Sequence, residues 1–350
     1  MLENTGATAA RLLIIDTEDS AVELLDASSL NRLAHLSIRA MPHEVAVDHA
    51  RGLGYVCISY QDGFYNHYRS ASHFLEVVAV DELRPLRGID LSPHWGPHGI
   101  ALAPDRRTAL ITCESGGGEL IALDLDQETV LGSVSVGAHG PHWMALTPDG
   151  STVFTANKED GFVSVVDVAS MTVTGRIETP NGTEGIAVSP DGARIFVASQ
   201  RSPQLYVVDA VQARIEATLE LPESPGAVAV TPDGRYVLIT SFNFTYWTDS
   251  PELRQGFFQT VDAATLALGP RIAVGRFPLN VIASADSSTA YISNYKDDSV
   301  SVIDLESMSV TATVPVGAGP HGLAYLEERA GRRTSHRAHN EHDETSDSDR

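Results

Sequence analysis

An internal repeat of about 42 residues limits the folds open to this chain more than any other feature. The clearest copy is PLNVIASADSSTAYISNYKDDSVSVIDLESMSVTATVPVGAG at 278–319, in which turn residues separate four short runs rich in Val, Ile, Tyr and Thr. Such runs are typical of a four-stranded antiparallel meander. Closely similar copies begin at 141 and 183, and looser copies begin at 42, 97 and 225.

A tetrapeptide, TPDG or SPDG, marks the same point in three copies, at 147, 189 and 231. Its Asp-Gly pair suits a tight hairpin between the first two strands, because such a turn needs positive φ. We therefore expect each copy to form a separate sheet.

The first and last parts of the chain together form one further copy. GPHGLAYL near the C-terminus has only a first strand, whereas RLLIIDTEDSAVELLDASSLNRLAHLSIRA at 11–40 has the other three. Pairing them closes a ring and removes exposed sheet edges. We predict an all-β, seven-bladed β-propeller of four-stranded antiparallel blades over 11–326, with a flexible N-terminus at 1–10 and a disordered charged tail at 327–350.

The segment YISNYKDDSVSVIDLESMSVTATVPVG resembles the YVTN repeat of seven-bladed propellers related to surface-layer and YncE-like proteins. The resemblance extends over roughly 11–326. It implies the propeller fold and says almost nothing about chemistry. It also implies one functional alternative, a non-enzymatic binding or scaffold protein.

The net charge of the chain is strongly negative. With 46 acidic and 24 basic side chains, its formal charge is −22, which disfavours binding to nucleic acid or to a membrane of anionic lipid. The N-terminus lacks the pattern of a signal peptide, no long apolar segment is present, and the 2 cysteines are too few for a disulfide framework. We therefore expect a soluble cytoplasmic protein that acts on a small-molecule substrate.

Histidines recur at the start of the first strand of several copies. With blade 1 beginning at 42 and the split copy counted as blade 7, the equivalent positions are His43, His98, His142, Glu184, Gly226, Leu279 and His321. First strands line the channel of a propeller, so these positions ring one mouth of it. The four histidines belong to the adjacent blades 7, 1, 2 and 3.

Neutral imidazoles favour Fe, Cu, Zn or Ni over magnesium or calcium. We therefore predict a divalent transition metal of unspecified identity, bound by His43, His98, His142 and His321. Glu184 and Arg201 are predicted catalytic residues. The alternative is that each histidine only caps a turn, although this gives no reason for four of them to cluster.

Two copies carry long insertions between their second and third strands, on the same face as the histidines. Aromatic residues in them are predicted to form a lid or pocket wall: Tyr60, Tyr65, Tyr68, Phe244, Tyr246 and Trp247. Polar residues at the same mouth are predicted to line the pocket: Glu114, Lys158 and Lys296. The alternatives for the insertions are a loop folded into its own small cluster and a subunit contact in a homo-oligomer.

These features favour a metal-dependent propeller enzyme that acts on a small organic molecule as an oxygenase, hydrolase or lyase. A four-histidine centre on a propeller is similar to that of carotenoid-type oxygenases, which implies ferrous iron. A second hypothesis is a metal-independent enzyme that resembles the seven-bladed lactonases and streptogramin lyases. That resemblance implies acid–base roles for Glu184, Arg201 and one or two histidines. The scaffold protein is the third hypothesis.

Overall fold

Seven four-stranded antiparallel sheets make up the described part of the chain, which confirms the predicted seven-bladed propeller. The structure is a computed structural model, and it describes residues 9–63, 70–180, 182–199, 201–242 and 255–327. Within these ranges, no helical segment combines the length and the hydropathy that crossing a bilayer would require.

Strands A to D of each blade run from the channel outwards. In the order of blades 1 to 7, the A strands are β4 Pro42–Asp48, β8 Trp95–Leu102, β12 Pro141–Leu146, β16 Thr183–Val188, β20 Pro225–Val230, β24 Pro278–Ala283 and β28 Pro320–Leu326. The B strands are β5 Leu53–Asp62, β9 Thr108–Ser115, β13 Thr152–Asn157, β17 Arg194–Ser199, β21 Tyr236–Ser241, β25 Thr289–Asn294 and β1 Arg11–Asp16. The C strands are β6 Ser70–Ala79, β10 Glu119–Asp124, β14 Phe162–Asp167, β18 Gln204–Asp209, β22 Gly256–Asp262, β26 Ser299–Asp304 and β2 Ala21–Asp26. The D strands are β7 Arg84–Asp90, β11 Thr129–Ser135, β15 Thr172–Glu178, β19 Arg214–Glu220, β23 Leu268–Val274, β27 Ser309–Pro315 and β3 Arg32–Ser37. A short 3-10 helix spans Tyr295–Asp297.

The hydrophobic core lies between neighbouring blades. Strands B and C are buried along almost their whole length, as in β13 and β14, because both of their faces are covered. The outer strand β19 instead alternates between exposed and half-buried residues. One apolar cluster joins Phe154 of blade 3 to Ile195 of blade 4, and each blade therefore depends on its neighbours for burial.

The ring is closed by pairing between the two parts of blade 7. Strand β1 is antiparallel to β28, with Arg11 opposite Leu326 and Leu13 opposite Ala324. This confirms that the N-terminal strands pair with the C-terminal first strand. Residues 1–8 and 328–350 lie outside the described ranges, so the flexible N-terminus and the disordered tail stay predictions.

The repeated Asp-Gly turns have the backbone conformation that their sequence predicts. Gly150, Gly192 and Gly234 have φ of 74°, 73° and 73°, a region that residues with a side chain rarely adopt. Each lies between strands A and B of its blade. These turns lie at the channel end opposite the histidines, which are at the start of strand A.

Candidate metal centre

The ring positions are the seven equivalent positions at the channel mouth: His43, His98, His142, Glu184, Gly226, Leu279 and His321. A β-bulge at the start of each A strand sets the direction of the side chain at the ring position. The register with strand B shifts between Pro42 and Val45 in blade 1, between Pro97 and Ile100 in blade 2, and between Pro141 and Met144 in blade 3. A bulge leaves residues out of the ladder and re-aims their side chains. His43, His98 and His142 occupy these bulges.

Glycine after the ring residue lets neighbouring A strands approach closely. A Cβ at Gly99 would lie 2.7 Å from the carbonyl oxygen of His142, and one at Gly322 would lie 2.4 Å from that of His43. The hydroxyl of Thr112 accepts from the Gly99 amide at 2.9 Å and donates to the His142 carbonyl at 2.6 Å. The glycine in the Pro-His-Gly motif is therefore explained by packing.

All four predicted histidines lie side by side at the mouth of the channel. The ring centroid of His43 is 5.2 Å from that of His98 and 5.0 Å from that of His321, and the centroids of His98 and His142 are 4.0 Å apart. The four residues are 1–4% exposed. Ring closure thus brings imidazoles from four adjacent blades into one buried cluster.

Three of these histidines form a group suited to a metal ion. His43, His98 and His321 each offer one ligand atom, and these atoms all lie within 4.8 Å of one another. Nδ1 of His43 lies 3.0 Å from the carbonyl oxygen of Met41. A carbonyl oxygen can only accept a hydrogen bond, so Nδ1 carries the proton and Nε2 of His43 keeps a lone pair. Oε1 of Glu44 lies 3.0 Å from Nδ1 of His321, within ion-pair distance. Such partners orient metal-binding histidines in proteins.

A second group overlaps the first. His98, Glu114 and His142 also offer ligand atoms within 4.8 Å of one another. The hydroxyl of Tyr60 donates to Oε1 of Glu114, so the predicted pocket residues Tyr60 and Glu114 lie beside the histidines. His98 belongs to both groups, and the fourth histidine is therefore placed differently from the other three.

A buried ion pair completes the polar side of the mouth. Nζ of Lys158 lies 3.2 Å from Oε1 of Glu184 and 3.4 Å from Nε2 of His142. Lys158 is 4% exposed and Glu184 is 2% exposed. The structure thus places the predicted residue Lys158 in contact with the cluster and the predicted residue Glu184 in contact with Lys158.

Burial shifts the pKa values of the cluster. It lowers the pKa of His43, His98 and His142 well below the usual value, so these imidazoles are neutral at pH 7 and able to bind a metal. Burial also raises the pKa of Glu114 to about 7, against the opposing effect of Lys158. The pKa of Glu184 is raised by the same cause.

Arg201 and Lys296 are not brought to the cluster. Their side chains are 56% and 42% exposed and lie 2.9 Å from Glu159 and 3.4 Å from Glu18, respectively. The difference comes from their position after strand B. Cys113 and Asn157 pair with the prolines that precede the ring positions of blades 2 and 3, and Glu114 and Lys158 come directly after them. Arg201 and Lys296 come one residue later, and successive side chains of an extended chain point in opposite directions.

Sequence reasoning missed three residues that join blades 1, 3 and 6 next to the ring positions, Glu44, Trp143 and Asn280. Nε1 of Trp143 donates to Oε1 of Glu44 at 3.0 Å, and Nδ2 of Asn280 donates to Oε2 of Glu44 at 3.2 Å. Each directly follows a ring position, where other blades have glycine or alanine. A large polar or aromatic residue directly after a ring position was the feature of the sequence that could have indicated them.

The remaining side of the mouth is apolar. Phe242, Phe277, Leu279 and Tyr295 form one buried cluster, in which Leu279 holds the ring position of blade 6. A Cβ at Gly226, the ring position of blade 5, would lie 2.1 Å from Cε1 of Phe242. The Tyr295 ring centroid is 6.5 Å from that of His321, so this cluster borders the histidines. The predicted lid residues Tyr65, Tyr68, Phe244, Tyr246 and Trp247 lie outside the described residues, and the lid stays a prediction.

Comparisons with known proteins agree on the fold. A family model described as YncE-like beta-propeller matches residues 142–324, more than half of the chain. No curated protein sequence matches the chain significantly.

Three solved structures are similar to the chain at low sequence identity. A protein from Desulfotomaculum acetoxidans DSM 771, described as functionally unknown, has a TM-score of 0.72 at 12% identity and covers 91% of this chain and 99% of its own. Hydrazine synthase from Kuenenia stuttgartiensis has a TM-score of 0.67 at 15% identity, covering 80% of this chain and 88% of its own. The dihydro-heme d1 dehydrogenase NirN in complex with DHE has a TM-score of 0.61 at 15% identity, covering 87% of this chain and 63% of its own. At these identities the similarity shows the fold alone.

Proposed function

Since this chain belongs to the YncE-like β-propeller family, whose fold alone implies no chemistry, we propose a function from the histidine cluster. The protein binds a divalent transition metal through His43, His98 and His321 and uses it in an enzymatic reaction on a small organic molecule. Two of the similar structures are enzymes by name, and a fold of this shape is therefore compatible with catalysis.

One observation carries this proposal. His43, His98 and His321 offer ligand atoms that all lie within 4.8 Å of one another. Burial keeps His43 and His98 neutral, and His321 lies beside the carboxylate of Glu44. Turn capping accounts for only one ring nitrogen of His43, the one facing Met41. Bringing several imidazole nitrogens together in a buried place is unfavourable unless something binds them. A metal ion satisfies all three at once.

The donor set limits the metal and the type of site. Imidazole nitrogen suits Fe, Cu, Zn or Ni, and calcium and magnesium prefer oxygen. A set of three protein ligands leaves a coordination position for water or substrate, which distinguishes catalytic sites from closed structural ones. A bound ion would polarise an oxygen group of the substrate or lower the pKa of water.

The neighbouring residues have separate tasks. Glu114, with a pKa of about 7, takes or gives a proton near neutral pH, and Tyr60 orients it through its hydrogen bond. The ammonium of Lys158 binds a negatively charged oxygen of the substrate, in exchange for part of its contact with Glu184. The apolar cluster around Leu279 packs against a hydrocarbon part of the substrate. Hydrolase, lyase and oxygenase reactions all fit this arrangement.

A metal-independent lactonase or lyase is the second candidate function. The observation that favours it is the presence of two acid–base pairs, Tyr60 with Glu114 and Lys158 with Glu184, beside neutral histidines. It must do without Arg201, whose side chain is 56% exposed and paired with Glu159. Activity on a lactone that survives chelation would favour this candidate.

The test is metal analysis of the full chain, purified without an affinity tag, with His336, His339 and His342 of the tail replaced by Ala. We expect at least about one equivalent of transition metal, and none in the same chain carrying His98→Ala. The matched control is His139→Ala, because the His139 side chain is 87% exposed and its loss leaves the cluster intact. Protein that stays metal-free, with the same melting temperature before and after metal addition, would refute the metal centre and leave the lyase and the scaffold.

A further inference from the structure

Beside the three-histidine site, we propose a second metal subsite formed by His98, Glu114 and His142, so that the centre binds two ions with His98 as their shared ligand. This inference rests on the proposed function, because the first ion is the one bound by His43, His98 and His321. It adds a binding site and makes Glu114 a metal ligand, in place of the proton-transfer role that Glu114 has when only the first ion is bound.

The geometry of the two ligand groups is the first argument. Each group has its three ligand atoms within 4.8 Å of one another, and His98 is a member of both. An imidazole has two nitrogens on different edges of its ring, so it can offer one nitrogen to each ion. Binding both ions displaces the ring proton of His98, which leaves to solvent.

Buried polar atoms without a partner are the second argument. Among the described residues, Nδ1 of His98 and Oε2 of Glu114 are buried and have no hydrogen-bond partner. Buried polar atoms are nearly always paired, and such exceptions call for an explanation. Both residues belong to the proposed subsite. A cation between them would satisfy the nitrogen and the oxygen together.

Charge is the third argument. The first group consists of imidazoles, so an ion bound there keeps most of its two positive charges in a buried place. The second group includes the carboxylate of Glu114, and Glu184 lies just beyond it with its partner Lys158. Because Lys158 balances the charge of Glu184, the carboxylate of Glu114 is the one that gives the second cation the negative charge that a buried centre requires.

Lys158 limits the affinity of the second subsite. Its Nζ lies 3.4 Å from Nε2 of His142, so the ammonium and a metal ion compete for this histidine. Glu184, at 3.2 Å, gives the ammonium an alternative partner when an ion binds. Replacing Lys158 by Met should therefore strengthen binding of the second ion at least about tenfold, since repulsion and competition disappear together.

The experiment is Zn²⁺ titration of the full chain with the three tail histidines replaced, read by chelator competition. We expect about two equivalents per chain, about one in Glu114→Gln, about one in His43→Ala and none in His98→Ala. The loss of both ions through one residue identifies the shared ligand. Lys296→Met is the matched control for Lys158→Met, because Lys296 is 42% exposed and pairs with Glu18 away from the cluster.

A second readout uses Cu²⁺ and electron paramagnetic resonance. Two ions on one imidazole give a magnetically coupled spectrum, and Glu114→Gln should convert it to the spectrum of a single ion. One equivalent that Glu114→Gln leaves unchanged, or two uncoupled ions, would overturn the second subsite while the three-histidine centre stands. No equivalent at all would overturn the proposed function itself. Melting temperatures show whether each variant is folded, and Glu114→Gln with His43→Ala decides the outcome if His98→Ala does not fold.

Discussion

The two sides of the channel mouth share one backbone and differ in chemistry. On blades 7, 1, 2, 3 and 4 the ring positions form a polar arc: His321, His43, His98, His142 and Glu184. On blades 5 and 6 they form an apolar arc, in which Gly226 and Leu279 meet Phe242, Phe277 and Tyr295. The same bulge holds both kinds of residue, in blade 3 as in blade 5.

The next position of the mouth repeats this division. In blades 2, 3, 5 and 6, the proline just before the ring position pairs with a residue of strand B. The residue that directly follows this strand B partner is Glu114 or Lys158 in the polar arc, and Phe242 or Tyr295 in the apolar arc. The repeat thus produces equivalent places, and the side chains alone decide whether a place contributes packing or chemistry. Packing stabilises the fold without a ligand, whereas buried polar groups cost stability until they are satisfied.

The largest expected effect tests the apolar arc. Leu279→Ala should lower the free energy of unfolding by about 2–5 kcal/mol, because it leaves a cavity beside Phe242 and Phe277. Metal content should not change. Leu268→Ala is the matched control, since Leu268 is 43% exposed on an outer strand and should change stability by no more than about 0.5 kcal/mol. If Leu279→Ala instead removed the metal, the two arcs would not be separable.

A smaller effect, visible as pH dependence, tests the polar arc without metal. The folded-state pKa of Glu114 is raised from 4.5 to about 7, so the chain loses stability as pH rises through this interval. Glu114→Gln cannot ionise and should be more stable than wild type at pH 8, by on the order of 3 kcal/mol, and nearly equal at pH 4.

The measurement is urea unfolding of chelator-treated protein at both pH values. Glu128→Gln is the control, because Glu128 pairs with Arg87 at the surface and should show no such difference between the two pH values. Equal stability of Glu114→Gln and wild type at pH 8 would mean that the carboxylate of Glu114 is not destabilised by burial.

The smallest effect concerns a residue that only positions a ligand. Glu44→Gln keeps the size of the side chain and an oxygen for the indole of Trp143, but it removes the charge beside Nδ1 of His321. Loss of such a partner typically weakens metal binding by about 10–100-fold. Chelator competition measures this change, and the melting temperature of metal-free protein shows whether the variant is folded. Unchanged affinity would exclude a role for Glu44 in orienting His321.

Sequence reasoning predicted the fold and the residues that cluster at the channel mouth, because both follow from periodicity. The four histidines recur at one register of the repeat, and Glu184 occupies the same register in blade 4. The direction of single side chains was less accessible. Lys158 and Arg201 both follow a B strand, but Arg201 comes one residue later after its strand than Lys158 does. The side chain of Lys158 therefore points into the mouth, and that of Arg201 points towards solvent. Glu44 was missed because it belongs to a bulge, where strict alternation fails.

By itself, the sequence determined a closed ring of seven blades and the arc of blades on which the histidines lie, since both depend only on the period of the repeat and on the residue at each copy of one position. Only the tertiary structure decided that three histidines form one ligand group while His142 faces Lys158, and that Glu44, Trp143 and Asn280 meet across the channel. The physical reason is that these contacts join residues far apart in the chain, 99 and 236 positions for the partners of Glu44. Their distances depend on the closure and curvature of the whole ring, which no local pattern encodes.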